Sequence, residues 1–245
     1  MLACSSRTAN DDHELCSQYN EVKSSVDKHY TKGKNIRMEM IIDTYAQFIE
    51  EWEKEDRRGP YERACRLVEE RLDAINKEMT ANRGWICIKE ITWRVKTPQS
   101  CLNKMLDKGY AADADNAVEK LNDIAGVRAV CYFLDDMYQV AELLRASSGY
   151  EFVKLKDYVK KPKASGYQSL HLIVRVSIEG QMIKVEIQIR TQAMDFWSDI
   201  EHHFVYKTSN KNISECEEEF LKCSKSIRKI DKQMLKIRRK LEDSQ

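Results

Sequence analysis

HLIVRVSIEGQMIKVEIQIR, residues 171–190, decides the fold of this chain. Apolar residues alternate with polar ones on both sides of Glu179-Gly180-Gln181, a pattern typical of a β-hairpin. In the second strand three aliphatic side chains alternate with a carboxylate, an amide and a guanidinium: Val185, Ile187 and Ile189 against Glu186, Gln188 and Arg190. One face of this strand is therefore expected to pack on a core, and the other to carry polar groups into a cleft.

Strand and helix patterns are mixed on both sides of this hairpin. The sequence predicts further strands in WICIKEITWRV (85–95), VRAVCYF (127–133) and 150–159. It predicts helices that begin at Thr97-Pro98, near 114, at Asp135 as a cap, and at AMDFWSDIEHHFVYK (193–207). Because at least one strand pair is antiparallel, we expect an α+β fold with a mixed β-sheet flanked by helices, not a doubly wound sheet.

Helical extensions are expected at both ends of the sheet domain. Residues 1–35 read as a polar arm, 36–84 as two helices separated by RRGP (57–60), and 85–207 as the sheet domain. In residues 213–243, apolar side chains recur every three or four positions: Ile213, Cys216, Phe220, Cys223, Ile227, Ile230, Met234, Ile237 and Leu241. This stripe either lies on its own domain or forms a contact between subunits.

Composition narrows the class of protein. The 245 residues are 42% apolar and carry a net charge of +1, which favours a globular protein and argues against a polyanion binder held by bulk charge. The eight cysteines include no CxxC pair and no zinc spacing, so reduced thiols in a cytoplasmic protein are expected. No segment is long and apolar enough for a membrane span, and the opening MLACSS lacks the apolar part of an export signal.

Polar residues that could bind a nucleotide cluster around the predicted sheet. They are Arg94, Lys96, Lys104, Lys108, Asp123, Arg128, Lys160, Lys161, Lys163, Tyr167, His171, Glu186 and Arg190. Carboxylates hold Mg²⁺ and cations neutralise phosphate charge, so the set fits a Mg²⁺–nucleotide enzyme. Taken singly, each residue also fits an ordinary structural role, and neither GxxxxGK[ST] nor GxGxxG is present.

Four motifs in order make a specific resemblance. ITWRVKTPQSCLNKM, LNDIAGVRAVCYFLDDMY, DYVKKPKASGYQSLHLIV and VEIQIRTQAMDFWSDIEHHFVYK closely resemble the synthetase domain of the RelA/SpoT family, and the last resembles its small alarmone synthetases in particular. The resemblance covers about residues 85–207 and implies a nucleotidyltransferase-like sheet without a hydrolase domain. It implies Mg²⁺-dependent transfer of the β,γ-pyrophosphate of ATP to the 3′-OH of GDP or GTP, which yields AMP and ppGpp or pppGpp.

The resemblance also implies roles for individual residues. Asp123 and Glu186 match the acidic pair that binds the metal and is catalytic, and Glu186 is placed to help deprotonate the 3′-OH. Four cations match the ATP side: Arg94 and Arg128 at the adenine, Lys96 and Lys104 at the phosphates. Five residues match the acceptor side: Lys163, Tyr167 as the ring that stacks on guanine, His171, Asp195 and Glu201. Two positions depart from many relatives, Gln168 where Arg is common and Asp195 where some have Asn.

The resemblance extends to partners and leaves alternatives. It implies a homotetramer with the terminal helices in the contacts, and regulation by the alarmone or by single-stranded RNA. A first alternative is a catalytically inactive regulator on the same fold that binds a nucleotide or RNA. A second is a nucleotidyltransferase that attacks the α-phosphate of ATP and releases pyrophosphate.

Overall fold

The computed structural model describes residues 38–54, 57–207 and 213–243. The described helices and strands follow in chain order: α1 (Met38–Lys54), α2 (Arg58–Arg83), β1 (Ile88–Val95), α3 (Pro98–Asp107), α4 (Ala114–Lys120), β2 (Ala125–Cys131), α5 (Leu134–Arg145), β3 (Tyr150–Asp157), β4 (Leu170–Ile178), β5 (Gln181–Thr191), α6 (Gln192–Lys207) and α7 (Ile213–Glu242). The predicted arm 1–35 lies outside the described residues. No described helix is both long and apolar enough to cross a membrane.

The chain forms two compact units. The first holds α1, α3 and α4. Within it Phe48 and Trp52 stack at 5.6 Å, and Arg57 pairs with Asp115 at 2.8 Å. Thr97 caps α3 as expected, because its side chain accepts a hydrogen bond from the backbone N–H of Ser100 and Pro98 opens the helix. The domain boundaries drawn from the sequence stay predictions.

The second unit holds the sheet, α2 and α5 to α7. Its five strands lie in the order β1-β2-β5-β4-β3, with β2 and β5 parallel and the other neighbours antiparallel. The expected α+β fold with a mixed sheet is therefore confirmed. Helices α2 and α5 cover one face, where Val185, Ile187 and Ile189 are fully buried.

The hairpin between β4 and β5 has a turn of two residues. Ile178 pairs with Gln181, and both Glu179 and Gly180 adopt positive φ, at 52° and 84°. Two successive positive φ values are the signature of a type I′ turn, whose twist matches that of the strands it joins. This tight turn fixes the register that places Glu186 and Gln188 on the face opposite the aliphatic residues.

Two local expectations are corrected. The RRGP segment was expected only to end α1, but its last three residues also begin α2 at Arg58. Pro60 is tolerated there because backbone N–H groups in the first turn of a helix have no partner within the helix, so the N–H that proline lacks costs nothing. Asp135 does not cap α5: the cap position is Phe133, two residues earlier, and its side chain makes no capping hydrogen bond. Asp135 is instead bound to Arg238 on α7, an ion-pair partner 103 residues away that local sequence cannot reveal.

Helix α7 lies on the second unit through a polar face. Ser224, Asp231 and Arg238, each seven residues from the next, are 4%, 6% and 7% exposed. Ser224 bonds the segment before β4, Asp231 accepts a hydrogen bond from Thr191 at 2.9 Å, and Arg238 pairs with Asp135 and Asp136 of α5. By contrast Ile230, Met234, Ile237 and Leu241 are 46%, 50%, 47% and 64% exposed, so the C-terminal part of the apolar stripe is not buried on its own unit.

The buried Asp231 carboxyl predicts a pH dependence of stability. Burial raises its pKa from 3.8 to about 6, although the hydrogen bond from Thr191 opposes the rise. Because the folded pKa of Asp231 exceeds the unfolded one, the contribution of this carboxyl to stability is fully present below about pH 4 and is lost as the pH rises through 6. We therefore expect Asp231→Asn, which keeps an acceptor for Thr191, to be more stable than the wild type at pH 7 by up to about 3 kcal/mol.

Denaturant unfolding of both proteins between pH 4 and 8 measures this difference. The difference in free energy of unfolding between the wild type and Asp231→Asn should grow between pH 4 and 6 and stay constant above pH 6. Asp73→Asn, at an exposed position on α2, is the matched control and should leave the pH profile unchanged. Parallel profiles for the wild type and Asp231→Asn would show that the Asp231 carboxyl is solvated in the folded protein.

Candidate active site

A closed ring of hydrogen bonds lies on the polar face of the sheet. The Tyr167 hydroxyl lies 2.7 Å from His171 Nε2, and His171 Nδ1 lies 3.2 Å from Glu186 Oε1. Gln188 donates to Glu186 Oε2 at 3.0 Å, and Arg190 donates to Gln188 Oε1 at 2.9 Å. The same Arg190 nitrogen donates to the Tyr167 hydroxyl at 2.7 Å, which closes the ring.

Strand register brings the members of the ring together. His171 on β4 pairs directly with Gln188 on β5, so their side chains lie side by side on the same face. Glu186, Gln188 and Arg190 are alternate residues of β5 and share that face by the two-residue period of a strand. Tyr167 comes from the segment before β4 and reaches the same face through its hydroxyl.

Arg190 and Glu186 fix the donors and acceptors at the two ends of the ring. Arg190 can only donate, so the Tyr167 oxygen accepts from it, and the bond between the Tyr167 hydroxyl and His171 Nε2 runs in either direction with the protonation of His171. An ionised Glu186 can only accept, so His171 Nδ1 carries the hydrogen that faces it. Both carboxylate oxygens of Glu186 therefore accept a hydrogen bond, one from His171 and one from Gln188.

These hydrogen bonds keep Glu186 ionised. Burial alone would raise the pKa of this carboxyl, and the charge of Asp123 adds to the rise. The hydrogen bonds from His171 and Gln188, with the electrostatic attraction of the imidazole, outweigh both and lower the pKa of Glu186 below 4.5. At neutral pH the site therefore presents a fixed anion whose remaining lone pairs are open to a ligand.

A chain of ion pairs continues from the ring toward β2. Arg190 contacts Asp195 Oδ1 at 3.2 Å, and Arg128 contacts the same oxygen at 3.1 Å. Arg128 also contacts Asp199 at 3.1 Å. Arg190 is 6% exposed, so its charge is largely desolvated and depends on Asp195 for compensation. The carboxylate of Asp195 thus joins Arg128 to the ring that contains Tyr167.

A cavity of about 380 Å³ opens beside these ion pairs. Arg94 and Arg128 line it from neighbouring strands, and Gln188 and Arg190 line it from β5. Gly126 also lines it, paired across the sheet with both Arg94 and Glu186. Because Gly126 has no side chain, the floor of the cavity stays open between these two residues. The size suits part of a nucleotide.

Cations cover the ring of Tyr167. Lys163 Nζ lies 4.7 Å from the ring centroid of Tyr167 and 5.1 Å from that of Tyr158, and Arg190 Cζ lies 5.1 Å from that of Tyr167. His171 packs edge-on against Tyr167 and Tyr158 at 5.7 and 5.2 Å. Lys163 is exposed, whereas Arg190 is buried and held by its ion pair. Lys163 is therefore the cation that can leave the Tyr167 ring.

The structure brings together most of the residues that the sequence singled out in the second unit. Asp123, just before β2, lies close enough to Glu186 for its charge to oppose ionisation there. Glu201 lies further along α6 and is partly buried. Lys96 and Lys104 belong to the first unit, so their phosphate contacts stay predictions.

Several residues of the site were missed or given no role by sequence reasoning. Arg190 and Gln188 complete the ring, and Asp199 pairs with Arg128. Ser198 and His202 line the cavity from α6. The polar alternation of β5 did signal Gln188 and Arg190. Ser198, Asp199 and His202 recur at helical spacing on one side of α6, a signal that becomes useful only once that side is known to face the sheet.

Comparison with known proteins agrees with this geometry. The region found in RelA/SpoT proteins matches residues 93–211. GTP pyrophosphokinase YwaC from Bacillus subtilis is 33% identical over 205 residues, which cover 82% of this chain and 97% of that protein. GTP pyrophosphokinase YjbM, also from Bacillus subtilis, is 33% identical over 190 residues, or 76% of this chain and 89% of that protein.

Solved structures give the same result. The crystal structure of small alarmone synthetase 1 from Bacillus subtilis bound to its product pppGpp superposes with a TM-score of 0.70 at 33% identity, over 78% of this chain and 98% of that one. A GTP pyrophosphokinase family protein from Streptococcus pneumoniae also gives a TM-score of 0.70, at 30% identity. Together with the four motifs and the mixed sheet, these similarities show that the chain belongs to the small alarmone synthetases of the RelA/SpoT family.

Proposed function

We propose that this protein is a GTP pyrophosphokinase that makes ppGpp or pppGpp from ATP and GDP or GTP. The acceptor 3′-OH passes its proton by way of the Glu186 carboxylate to solvent and its oxygen attacks the β-phosphorus of ATP, while the bond from that phosphorus to the α,β-bridging oxygen breaks and AMP leaves with that oxygen. The observation that carries the proposal is the ring that ties Glu186 to Tyr167 through His171. It holds a fixed carboxylate next to an aromatic ring, as a reaction at the sugar of a stacked nucleoside requires.

Glu186 serves this reaction as an orienting anion. Its lowered pKa means that it is ionised at neutral pH and ready to accept a hydrogen bond from the 3′-OH. A carboxylate with a low pKa is a weak base, so its main contribution is to position the hydroxyl and to stabilise developing positive charge. The hydrogen bonds from His171 and Gln188 prevent the carboxylate from rotating away.

The acceptor guanine stacks on Tyr167 in place of the Lys163 ammonium. The cation–π contact at 4.7 Å shows that the face of this ring is accessible to a flexible, exposed side chain. When a base takes that face, the displaced Lys163 is left near the acceptor phosphates, where its ammonium can donate hydrogen bonds to their negative oxygens. Arg190 stays in place because Asp195 and Gln188 hold its guanidinium.

The donor adenine binds in the cavity between Arg94 and Arg128. Both guanidinium groups line the cavity, and planar guanidinium groups stack well on bases. Arg128 is oriented by Asp195 and Asp199, which limits its rotation. Because Asp195 also pairs with Arg190, the donor and acceptor sides share one carboxylate.

Mg²⁺ fits the acidic pair of the site. Within the described residues no three His, Cys, Asp or Glu side chains are grouped as a metal site, so Asp123 and Glu186 would act with phosphate oxygens and water. Their mutual repulsion, which opposes ionisation of Glu186, is what a divalent cation would relieve. When bound, the ion would neutralise charge on the transferred phosphates.

Product analysis tests the proposed function. Purified protein with Mg²⁺, ATP labelled at the γ-phosphate, and GDP or GTP is expected to give AMP and a labelled guanosine 3′-diphosphate. Labelled free pyrophosphate would instead indicate attack on the α-phosphate, and no turnover with intact nucleotide binding would indicate an inactive regulator. A preference between GDP and GTP follows from the same assay.

The exposed stripe of α7 supports self-association, and the family resemblance implies that the assembly is a homotetramer. Ile230, Met234, Ile237 and Leu241 form a continuous apolar surface along one side of a helix whose polar side already faces its own unit. Such a surface gains free energy by meeting its counterpart on another copy. The cytoplasm supplies both nucleotides, and control by the alarmone or by single-stranded RNA stays a prediction from family resemblance.

Charges on the stripe are expected to dissociate the assembly. Ile230→Lys with Ile237→Lys places two ammonium groups where desolvation is costly, so a smaller particle is expected by light scattering, with unchanged circular dichroism. Glu218→Lys adds the same two units of positive charge at an exposed position outside the stripe and should leave the assembly intact. A wild-type protein that is monomeric at micromolar concentration would refute the homotetramer.

A further inference from the structure

Helix α7 is hydrogen-bonded to residues 166–168, the segment that carries Tyr167. The Ser224 hydroxyl donates to the backbone carbonyl of Gly166 at 2.5 Å. The Gln168 side-chain amide donates back to Ser224, at 2.9 Å to the hydroxyl oxygen and 3.2 Å to the carbonyl oxygen. Tyr167 lies between these two contacts, so both of its neighbours in the chain are tied to the same serine.

The contact is buried and closely packed. Ser224 and Gln168 are each 4% exposed, so their hydrogen bonds do not compete with water. Gly166 has a φ of 97°, and a Cβ at this position would lie 2.9 Å from Ser224 Cβ and 3.3 Å from Leu221 Cδ1. Only glycine therefore allows α7 to approach this closely.

Gln168, which stands where many relatives have Arg, has a structural partner in this chain. Its side chain points to α7 and bonds Ser224, so it does not serve as a phosphate contact in this chain. The segment is also closed on its other side, because Lys163 N–H donates to the Tyr167 carbonyl at 3.1 Å and Gly166 N–H to the Lys163 carbonyl at 2.9 Å. A compact turn carrying Lys163 and Tyr167 is thus anchored to α7 at one end.

We propose that Ser224 is a positioning residue for the acceptor nucleotide. With Gln168 it fixes the Gly166–Gln168 segment on α7, and this holds the ring of Tyr167 where guanine stacks. The inference rests on the proposed function for the role of Tyr167 and extends the acceptor site to the C-terminal helix. Binding of ATP, in the cavity lined by Arg94 and Arg128, does not depend on this contact.

Kinetics of Ser224→Ala test the proposal. Loss of the hydroxyl removes the bond to Gly166 and one acceptor for Gln168, so the KM for GDP or GTP is expected to rise about three- to tenfold. The KM for ATP should stay within twofold. Ser226→Ala, on an exposed side of the same helix, is the matched control and should leave both values unchanged.

Two further measurements separate positioning from general destabilisation. Gln168→Ala should raise the acceptor KM similarly, and the effect of the double variant should fall short of the sum of the two single effects, because both changes remove the bond between the Gln168 amide and the Ser224 hydroxyl. Trypsin should cut after Lys160 and Lys163 faster in Ser224→Ala than in Ser226→Ala, a readout that needs no activity.

The outcomes are distinct. Equal rises in both KM values, additive effects of the two substitutions, or unchanged cleavage would overturn the proposal. Faster cleavage with an unchanged acceptor KM would also overturn it, since the segment would then be held without consequence for binding. Absence of product from the wild-type protein would refute the proposed function, and the cleavage rates would still decide whether Ser224 holds the segment.

Discussion

Glu186→Gln is expected to lower the rate of pyrophosphate transfer at least about a hundredfold, since it removes the residue that we propose as both metal ligand and orienting anion. The amide keeps the shape of the side chain but loses its charge. It also offers a single acceptor oxygen where the carboxylate accepts from both His171 and Gln188. One of these donors would face an NH₂ group, so the position of the side chain would be lost together with its charge.

Steady-state turnover with saturating nucleotides measures this loss, and circular dichroism should show a folded protein. Glu151→Gln is the matched control, because Glu151 is an exposed carboxylate on β3 that pairs with Arg175. It should retain nearly full activity. A Glu186→Gln protein with more than a tenth of wild-type turnover would remove Glu186 from the catalytic assignment.

Tyr167→Ala should have the second largest effect, on the acceptor. Loss of base stacking costs about 1–3 kcal/mol, so the KM for GDP or GTP should rise between about fivefold and 150-fold, while that for ATP changes little. Tyr167→Phe keeps the ring and removes the hydroxyl that joins Arg190 to His171. It should leave the acceptor KM nearly unchanged and lower kcat, because the hydrogen-bond ring around Glu186 would be open.

Initial rates with each substrate varied in turn give both constants. The contrast between the two variants is the test: stacking acts on KM and the hydroxyl acts on kcat. If Tyr167→Ala raised both KM values equally, Tyr167 would have a structural role. If Tyr167→Phe behaved like the wild type in both constants, the hydroxyl would be dispensable for holding Glu186.

Much of the site could be predicted because its signals are local. The alternation in β5 identified the polar face with Glu186, and the Thr97-Pro98 pair identified the start of α3. The resemblance assigned Asp123, Tyr167 and His171, and the structure places all three around Glu186. The same motifs assigned Lys96 and Lys104 to the ATP phosphates, but both residues lie in the first unit, so these two assignments stay predictions.

The C-terminal helix shows what hydrophobic periodicity alone does not reveal. Its apolar period was read correctly, yet that period marks the side of the helix left exposed. The buried side is polar, and hydrophobic periodicity cannot find it because Ser224, Asp231 and Arg238 are normally surface residue types. They are stable inside only because partners on the second unit satisfy them.

The sequence by itself determined what depends on neighbours along the chain: the strands and their polar and apolar faces, the hairpin around Glu179 and Gly180, and the cap of α3. Only the tertiary structure decided the closed ring around Glu186 and the seating of α7. The polar partners of α7 lie 56, 40 and 103 residues from Ser224, Asp231 and Arg238. The free energy of a buried hydrogen bond or ion pair depends on a partner that only folding brings into contact, so no local pattern encodes it.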